Sequence, residues 1–154
     1  MKLIIGLGNN ATEYENTYHN VGFLMVDCLA TRDIIIPLIK TSGFMNESGK
    51  DVKEAIKKYH LTPEDLLIIH DDSDIALGEY KFSQSRGSAG HKGVQNIIDV
   101  LGNNNFTRLR IGIRPKENME HIKAENFVLK NISKTNLEIL NDVFEKSGEE
   151  IKSL

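Results

Sequence analysis

Ile4-Ile5-Gly6-Leu7-Gly8-Asn9-Asn10-Ala11-Thr12-Glu13-Tyr14, IIGLGNNATEY, lies near the beginning of the chain. An apolar run enters two glycines and emerges into polar residues, the pattern of a strand that ends in a loop. Gly6 to Ala11 also satisfies G-x-G-x-x-G/A, the turn that cradles a dinucleotide pyrophosphate. That turn must run straight into a helix, whose N-terminus holds the phosphates. Here Thr12-Glu13-Tyr14-Glu15-Asn16-Thr17-Tyr18 intervenes, and an apolar helical pattern starts only at Val21. The loop therefore reads as a strand exit that presents polar side chains.

Outward from this loop, strands and helices alternate. Lys2–Leu7 is apolar on both faces, which predicts a central strand. Val21, Leu24, Met25, Cys28 and Leu29 share one helical face, with Asn20 in the capping position and Cys28 in the core. Ile34–Ile39 is a second buried strand, which Pro37 assigns to an edge or a bulge. A helix is expected from Gly49 to Tyr59, capped by Ser48, with Val52, Ala55, Ile56 and Tyr59 on one face. Thr62-Pro63-Glu64-Asp65 is a capped turn. Leu66–His70 is a third apolar strand that ends at the acidic run Asp71-Asp72-Ser73-Asp74.

Glu79–Phe82 is a short strand. The loop Arg86-Gly87-Ser88-Ala89-Gly90-His91-Lys92-Gly93 opens a helix with Val94, Ile97, Ile98 and Leu101 inward, stopped by Gly102. Leu109–Ile113 is a strand with Arg108 and Arg110 alternating outward. A last helix, capped by Ser133, turns Leu137, Leu140, Val143 and Phe144 inward. This order predicts one α/β domain over residues 1–154, a sandwich with a central mixed, largely parallel twisted sheet flanked by helices.

At 154 residues the chain has room for one core and not two. No apolar run approaches the ~20 residues that cross a bilayer, and MKLIIGLG is too short for a secretory leader. The single cysteine, Cys28, rules out a disulfide framework, in keeping with a cytoplasmic protein. A net charge of -3 argues against a non-specific nucleic-acid coat. It leaves room for a local basic patch, and Arg108, Arg110, Arg114, Lys116, Lys123 and Lys130 form such a group or an ordinary solvated surface.

In open α/β sheets ligands bind beyond the carboxyl ends of the strands. Four strand exits there collect polar residues: Asn9, Asn10, Tyr14 and His19; Thr41, Ser42, Phe44, Met45 and Asn46; His70 with Asp71 to Asp74; and the glycine loop with His91 and Lys92. The set contains imidazole, carboxylates and amides but no serine in a nucleophile elbow. Water is then the nucleophile, with a histidine as general base. An aspartate would fix its tautomer, and asparagine amides would hold a carbonyl. Free N–H groups at the helix opening of Gly90 to Gly93 suit phosphate.

Each residue also has a plainer reading. His19 is either a cap or surface residue, or the base. His70, ending a buried strand, reads as structural; His60 and His121 read as exposed. Asp71–Asp74 caps a turn, serves the site, or with His70 holds a divalent metal, although its spacing matches no EF-hand loop. Phe44-Met45 is core or site, and Asn46 a turn residue or a polar contact.

Ordered blocks over nearly the whole chain resemble bacterial peptidyl-tRNA hydrolase. GLGNNATEY…HNVGF resembles GLGNPG-x-x-Y…T-R-H-N-x-G-F, and SGFMNESGKDV resembles T-F-M-N-x-S-G-x-x-V. IIHDDSDIALGEYKF resembles H-D-E-L-D-L-P-x-G-x-x-K-x. GSAGHKGVQNIIDVLGNNNFTRLRIGI resembles G-S-A-G-H-N-G-L-x-S-I…F-x-R-L-R-I-G-I, and ENFVL the late F-V-L block. The resemblance implies hydrolysis of the ester joining a peptide, or an N-blocked amino acid, to tRNA, which recycles tRNA from stalled translation. It implies no metal, no cofactor and no membrane, a monomer, and contacts with the acceptor stem and 3' end. His19 becomes the proton acceptor that activates water, Asp71 its stabiliser, and Asn9 the residue that discriminates blocked from unblocked substrate. Tyr14, Phe44, Met45 and Asn46 become substrate contacts, and Arg110 and Lys116 meet tRNA phosphates.

The chain departs from the pattern at several points. Family Pro-Gly is Asn10-Ala11, the arginine before the histidine is Tyr18, and the asparagine after the glycine loop is Lys92. Asparagine donates and accepts, whereas lysine only donates and carries charge. Lys92 is expected to donate to the peptide carbonyl or a phosphate, and to favour neutral His19 by repulsion. A segment that the family carries between Asp33 and Ile34 is absent, as are turns after the last helix. A reduced but active hydrolase is the leading reading; a non-catalytic RNA-binding relative is the alternative.

Overall fold

The computed structural model describes residues 1–116 and 123–154; His121 lies outside them. The sheet contains β1 (Leu3–Gly6), β2 (Leu38–Lys40), β3 (Leu66–Ala76), β4 (Tyr80–Gln84) and β5 (Thr107–Arg114), in the order β2-β1-β3-β5-β4. β1 pairs in parallel with β2 and β3, and β3 with β5; β4 runs antiparallel to β5. The mixed, mostly parallel α/β arrangement is the expected one.

The alternation of side chains along β1 decides the layers. Ile4 joins one core with Val21, Met25, Leu29, Leu140, Val143 and Phe144. These come from α1 (Val21–Ala30) and from the last helix, Lys134–Lys152. Leu3 and Ile5 join a second core on the opposite face with Val52, Ala55, Val94 and Ile97. That face is covered by α2 (Ser48–Tyr59) and α3 (Lys92–Leu101). The short helix α4 (Ala124–Phe127) precedes the last helix, α5. A strand buried on both faces must be apolar at every position, which is why Lys2–Leu7 lacks a polar alternation.

The glycines of the opening motif serve this packing. A Cβ on Gly6 would strike the Gly22 carbonyl oxygen, and one on Gly8 would stand 2.8 Å from the Phe23 ring. Gly6 and Gly22 thus let α1 lie directly on β1. The loop N–H groups are also occupied: Asn9 N–H donates to Asn20 Oδ1, Asn10 N–H to the Gly43 carbonyl and Ala11 N–H to the Asn9 carbonyl. A pyrophosphate would find none of them free.

Several expectations need correction. The second strand is not Ile34–Ile39 but Leu38–Lys40, half-buried at the sheet edge. Ile35 is 99% exposed, because the chain before Pro37 runs outside the sheet while Ile34 and Ile36 pack on the core. The third strand does not stop at His70 but continues through the acidic run to Ala76, with a register break between Asp72 and Ala76. Pairing with β5 carries the polar residues along the strand.

Arg108 and Arg110 do not point outward; they are buried. Arg110 Nε donates to Asp72 Oδ2 at 2.8 Å and Nη1 to Ser83 Oγ, while Arg108 Nη2 donates to the Gly87 carbonyl. Arg110, paired with Asp72, tolerates burial that a lone charge does not; among the described residues Arg108 has no carboxylate partner, and its Nε is without a hydrogen bond. Ser48 does not cap α2 but lies inside it, its hydroxyl on the Met45 carbonyl. Ser133 does cap α5, accepting from the Asn136 N–H, and Gly102, at φ 74°, ends α3 as expected. Cys28 is half-buried against the α1-side core.

Candidate active site

The carboxyl ends of β1 and β3, the start of α2, the glycine loop and α4 enclose one cleft of about 590 Å³. Its lining includes Asn9, His19, Met45, Asn46, Asp71 and Lys92. At its centre Asp71, buried, accepts from two imidazoles. His19 Nδ1 lies 3.0 and 2.9 Å from its two oxygens, and His91 Nε2 lies 2.9 Å from Oδ1. The His91 Nδ1 atom accepts from the Val94 N–H at 3.2 Å, capping α3. His91 Nε2 must therefore carry the proton it donates to Asp71. His19 likewise donates through Nδ1, which leaves its Nε2 lone pair for the cleft.

The electrostatics follow from this geometry. Burial lowers the proton affinity of His19, but the Asp71 carboxylate raises it by charge and hydrogen bond, and the net lies above the ordinary 6.5. Lys92 pulls in the opposite direction through space, the repulsion expected from its replacement of asparagine. Burial works against the ionised Asp71, yet the two histidines hold its carboxyl well below the usual carboxylate range.

Asn9 is placed by a second set of contacts. Its backbone N–H donates to Asn20 Oδ1 at 2.8 Å, and Asn20 Nδ2 donates to its carbonyl at 3.0 Å. Its own Oδ1 accepts from the Met45 N–H at 2.8 Å. The Nδ2 end, without a partner among the described residues, is the end left for a ligand. Asn20 makes no capping bond; its side chain splints the Asn9 backbone instead.

The departures have structural partners. Asn10 donates through its N–H to Gly43 and through Nδ2 to the Ser42 carbonyl, two bonds that proline cannot make. Tyr18 is buried, stacked on Phe127 with ring centroids 4.4 Å apart, and its hydroxyl accepts from Asn136 Nδ2. His19 N–H donates to the Val128 carbonyl at 2.8 Å. The loop bearing His19 is therefore anchored to the ENFVL block. At the start of α3 the N–H groups of Lys92 and Gly93 have no partner among the described residues, but that of Val94 is taken by His91.

Met45 and Asn46 line the cleft; Phe44, 54% exposed, and Tyr14 lie outside the lining. Arg110 is held by Asp72 and Ser83, and Lys116 is exposed beyond β5. His91 also lines the cleft, a residue that the sequence places at the fourth strand exit without a role, as do Lys123, Ala124, Glu125, Val128 and Leu129, which the sequence does not point to as site residues. His91 had a signal, since it stands inside the quoted GSAGHKG block beside Lys92. The metal reading fares differently. His70 is turned onto the Asp71 carbonyl and Asp72 is used by Arg110 and the Asp74 N–H, so the two do not converge. His19, Asp71 and His91 do bring ligand-type atoms within 4.8 Å of one another. Both imidazole N–H groups are already given to Asp71, an arrangement for moving protons.

An α/β sandwich with a histidine–carboxylate pair in a cleft at the ends of its strands has the layout of a hydrolase. The family model described as peptidyl-tRNA hydrolase matches residues 3–36 and 33–154. The chain belongs to the peptidyl-tRNA hydrolase family, ester hydrolases that act on peptidyl-tRNA. The peptidyl-tRNA hydrolase of Pseudothermotoga lettingae is 36% identical over 169 residues, covering 98% of this chain and 88% of the relative. That of Dichelobacter nodosus is 36% identical over 175 residues, covering 100% and 92%. The crystal structure of the Acinetobacter baumannii enzyme superimposes with a TM-score of 0.87 at 29% identity, covering 99% of this chain and 87% of that one. Among the described residues no helix is long and apolar enough to cross a membrane.

Proposed function

We propose that His19 is the general base that removes a proton from water as it attacks the ester carbon of peptidyl-tRNA. The observation that carries this reading is the His19 Nδ1–Asp71 contact at 2.9 Å, with Nε2 on the cleft side without a partner among the described residues. Asp71 holds the tautomer and stabilises the imidazolium formed on proton transfer. The proton then passes to the departing 3' oxygen of the tRNA, which leaves peptide carboxylate and tRNA with an intact terminal hydroxyl.

Asn9 Nδ2 donates to the peptide and Asn46 holds the chain beyond it, with Met45 as an apolar wall. Lys92, at the opening of α3, donates to the carbonyl oxygen as negative charge develops, aided by the free N–H groups of that helix turn. Phe44 and Tyr14 flank the peptide outside the cleft. Lys116 meets phosphates of the acceptor stem, and Arg110 acts from beneath through Ser83 and Asp72. The protein works as a monomer without a metal or cofactor. The test is release of peptide from N-blocked aminoacyl-tRNA, compared with free aminoacyl-tRNA, with His19→Ala and a chelator as controls. Blocked substrate alone should be cleaved, chelator should change nothing, and a wild-type chain without release would overturn the reading.

A further inference from the structure

The His70 imidazole is 1% exposed in the α2–α3 side of the sheet. Its Nε2 has no hydrogen-bond partner among the described residues. Buried polar atoms are nearly always paired, because an unpaired one forfeits its hydration without return. A leucine of similar volume would fill this place without that penalty. What the imidazole does instead is donate Nδ1–H to the Asp71 carbonyl at 2.6 Å.

The reason for that bond lies in the strand pairing. In a parallel ladder alternate residues direct their backbone groups to the same neighbour. The Ile69 carbonyl accepts from the Leu7 N–H at 2.9 Å. The Asp71 carbonyl, two residues on, faces the same side, but β1 ends at Gly6 and the chain turns away into the Gly8–Asn9 loop. That departure opens the cleft, and it also deprives Asp71 of a strand donor. The His70 side chain supplies the donor from its own strand. Its ring also meets His91 edge-on, with centroids 4.7 Å apart, and His91 holds the other side of the Asp71 carboxylate.

We propose that His70 is a positioning residue for catalysis: it replaces the missing rung of β1 at Asp71 and buttresses His91, and so fixes the carboxylate that orients His19. Its ring stays neutral, as burial demands first, reinforced by the Arg108 charge against that of Asp71. His70 touches no substrate and acts only through Asp71 and His91. The proposal rests on His19 as the base.

Two variants separate positioning from filling. His70→Leu keeps the volume and removes the donor; His70→Asn keeps a donor where Nδ1 stands. With blocked aminoacyl-tRNA, His70→Leu should lose about tenfold or more in kcat with KM little changed, because misplacement of a catalytic group costs rate rather than binding. His70→Asn should recover most of that loss. NMR titration of the His19 ring gives a readout independent of activity. The titratable groups that line the cleft with His19 are Asp71, Asp72 and Asp74 on β3, His91 and Lys92 at α3, and Lys123 and Glu125 at α4, of which Asp71 and Lys92 act on the His19 charge. A carboxylate held less firmly raises His19 less, so its titration should move to lower pH in His70→Leu and return in His70→Asn. A folded His70→Leu with wild-type kcat and unmoved His19 titration would overturn the proposal. So would His70→Asn falling as far as His70→Leu. Should His70→Leu fail to fold, a folded His70→Asn with kcat and titration far from wild type would still overturn it. Wild-type protein without hydrolysis would refute the base assignment, while the NMR arm would still report whether His70 holds Asp71.

Discussion

His19 and Asp71 are separated by 52 positions in the chain and meet at 2.9 Å, with the imidazole Nδ1 on the carboxylate of a strand that continues past the cleft. One residue comes from a loop after β1 and the other from β3, so the contact depends on the pairing of those strands.

Removing that imidazole should remove catalysis and little else. In His19→Ala, Asp71 keeps its bond to His91, so at alkaline pH, where His19 is neutral, thermal unfolding should change little while kcat/KM falls by about a hundredfold to ten-thousandfold. The base works when neutral, so in wild type kcat should rise with pH along a limb centred above 6.5. The raised proton affinity also links to stability with a definite sign. The contribution of protonated His19 is fully present below 6.5 and is lost as pH rises through the higher folded value. A pH series of melting temperatures, wild type against His19→Ala, measures it.

Lys92 opposes that shift by charge. Lys92→Asn should therefore move the acid limb of kcat to higher pH, since the neutral amide no longer repels a proton from His19. The displacement should shrink at high salt. An unmoved limb would mean that the ammonium is directed away from His19 in solution.

Asn20 should matter to substrate handling without touching substrate. Asn20→Ala leaves the buried N–H and carbonyl of Asn9 without partners, a loss of about 2–4 kcal/mol in denaturant unfolding. The freed loop should raise KM for blocked substrate. Asn20→Asp, which keeps the acceptor for the Asn9 N–H but not the donor, should fall between the two.

Gly22→Ala tests the packing that brings the loop to the site. A Cβ there would press on the Ile69 carbonyl and stand 2.6 Å from the Leu7 carbonyl oxygen. Ile69 is backbone of β3 and Leu7 is tied to it by its own N–H, so neither has much room to give. The substitution should cost about 2 kcal/mol or more, seen as a melting temperature lower by roughly 4–8 °C.

Much of this molecule is legible in one dimension. The two-sided apolarity of Lys2–Leu7 places β1 inside the sheet, the 3.6-residue spacing of Val21 to Leu29 makes α1, and Gly102 stops α3. Pro37 correctly marks an edge, although the strand itself begins after it. Local patterns carry this information because each element's own side chains record which faces are buried. The reach of β3 through Asp71–Asp74 is not legible, because that strand is held by its β5 partner and not by its own apolarity. Arg108 and Arg110 mislead for the same reason: alternation marks a face, but it does not say that Asp72, Ser83 and Gly87 wait on it.

The site divides along the same line. The motif blocks bring His19, Asp71 and Asn9 forward as chemistry, and the polar strand exits mark where they collect. Only the folded chain decides that His91 shares Asp71 with His19, that Asn20 splints Asn9 and that Asn10 binds Ser42. These are contacts between segments far apart in sequence, set by how parallel strands and the helices over them juxtapose loop ends. The glycines of IIGLGNNATEY were legible as glycines; that they admit α1 onto β1, and hold no phosphate, follows from Gly22 and Phe23 lying where their Cβ atoms would be.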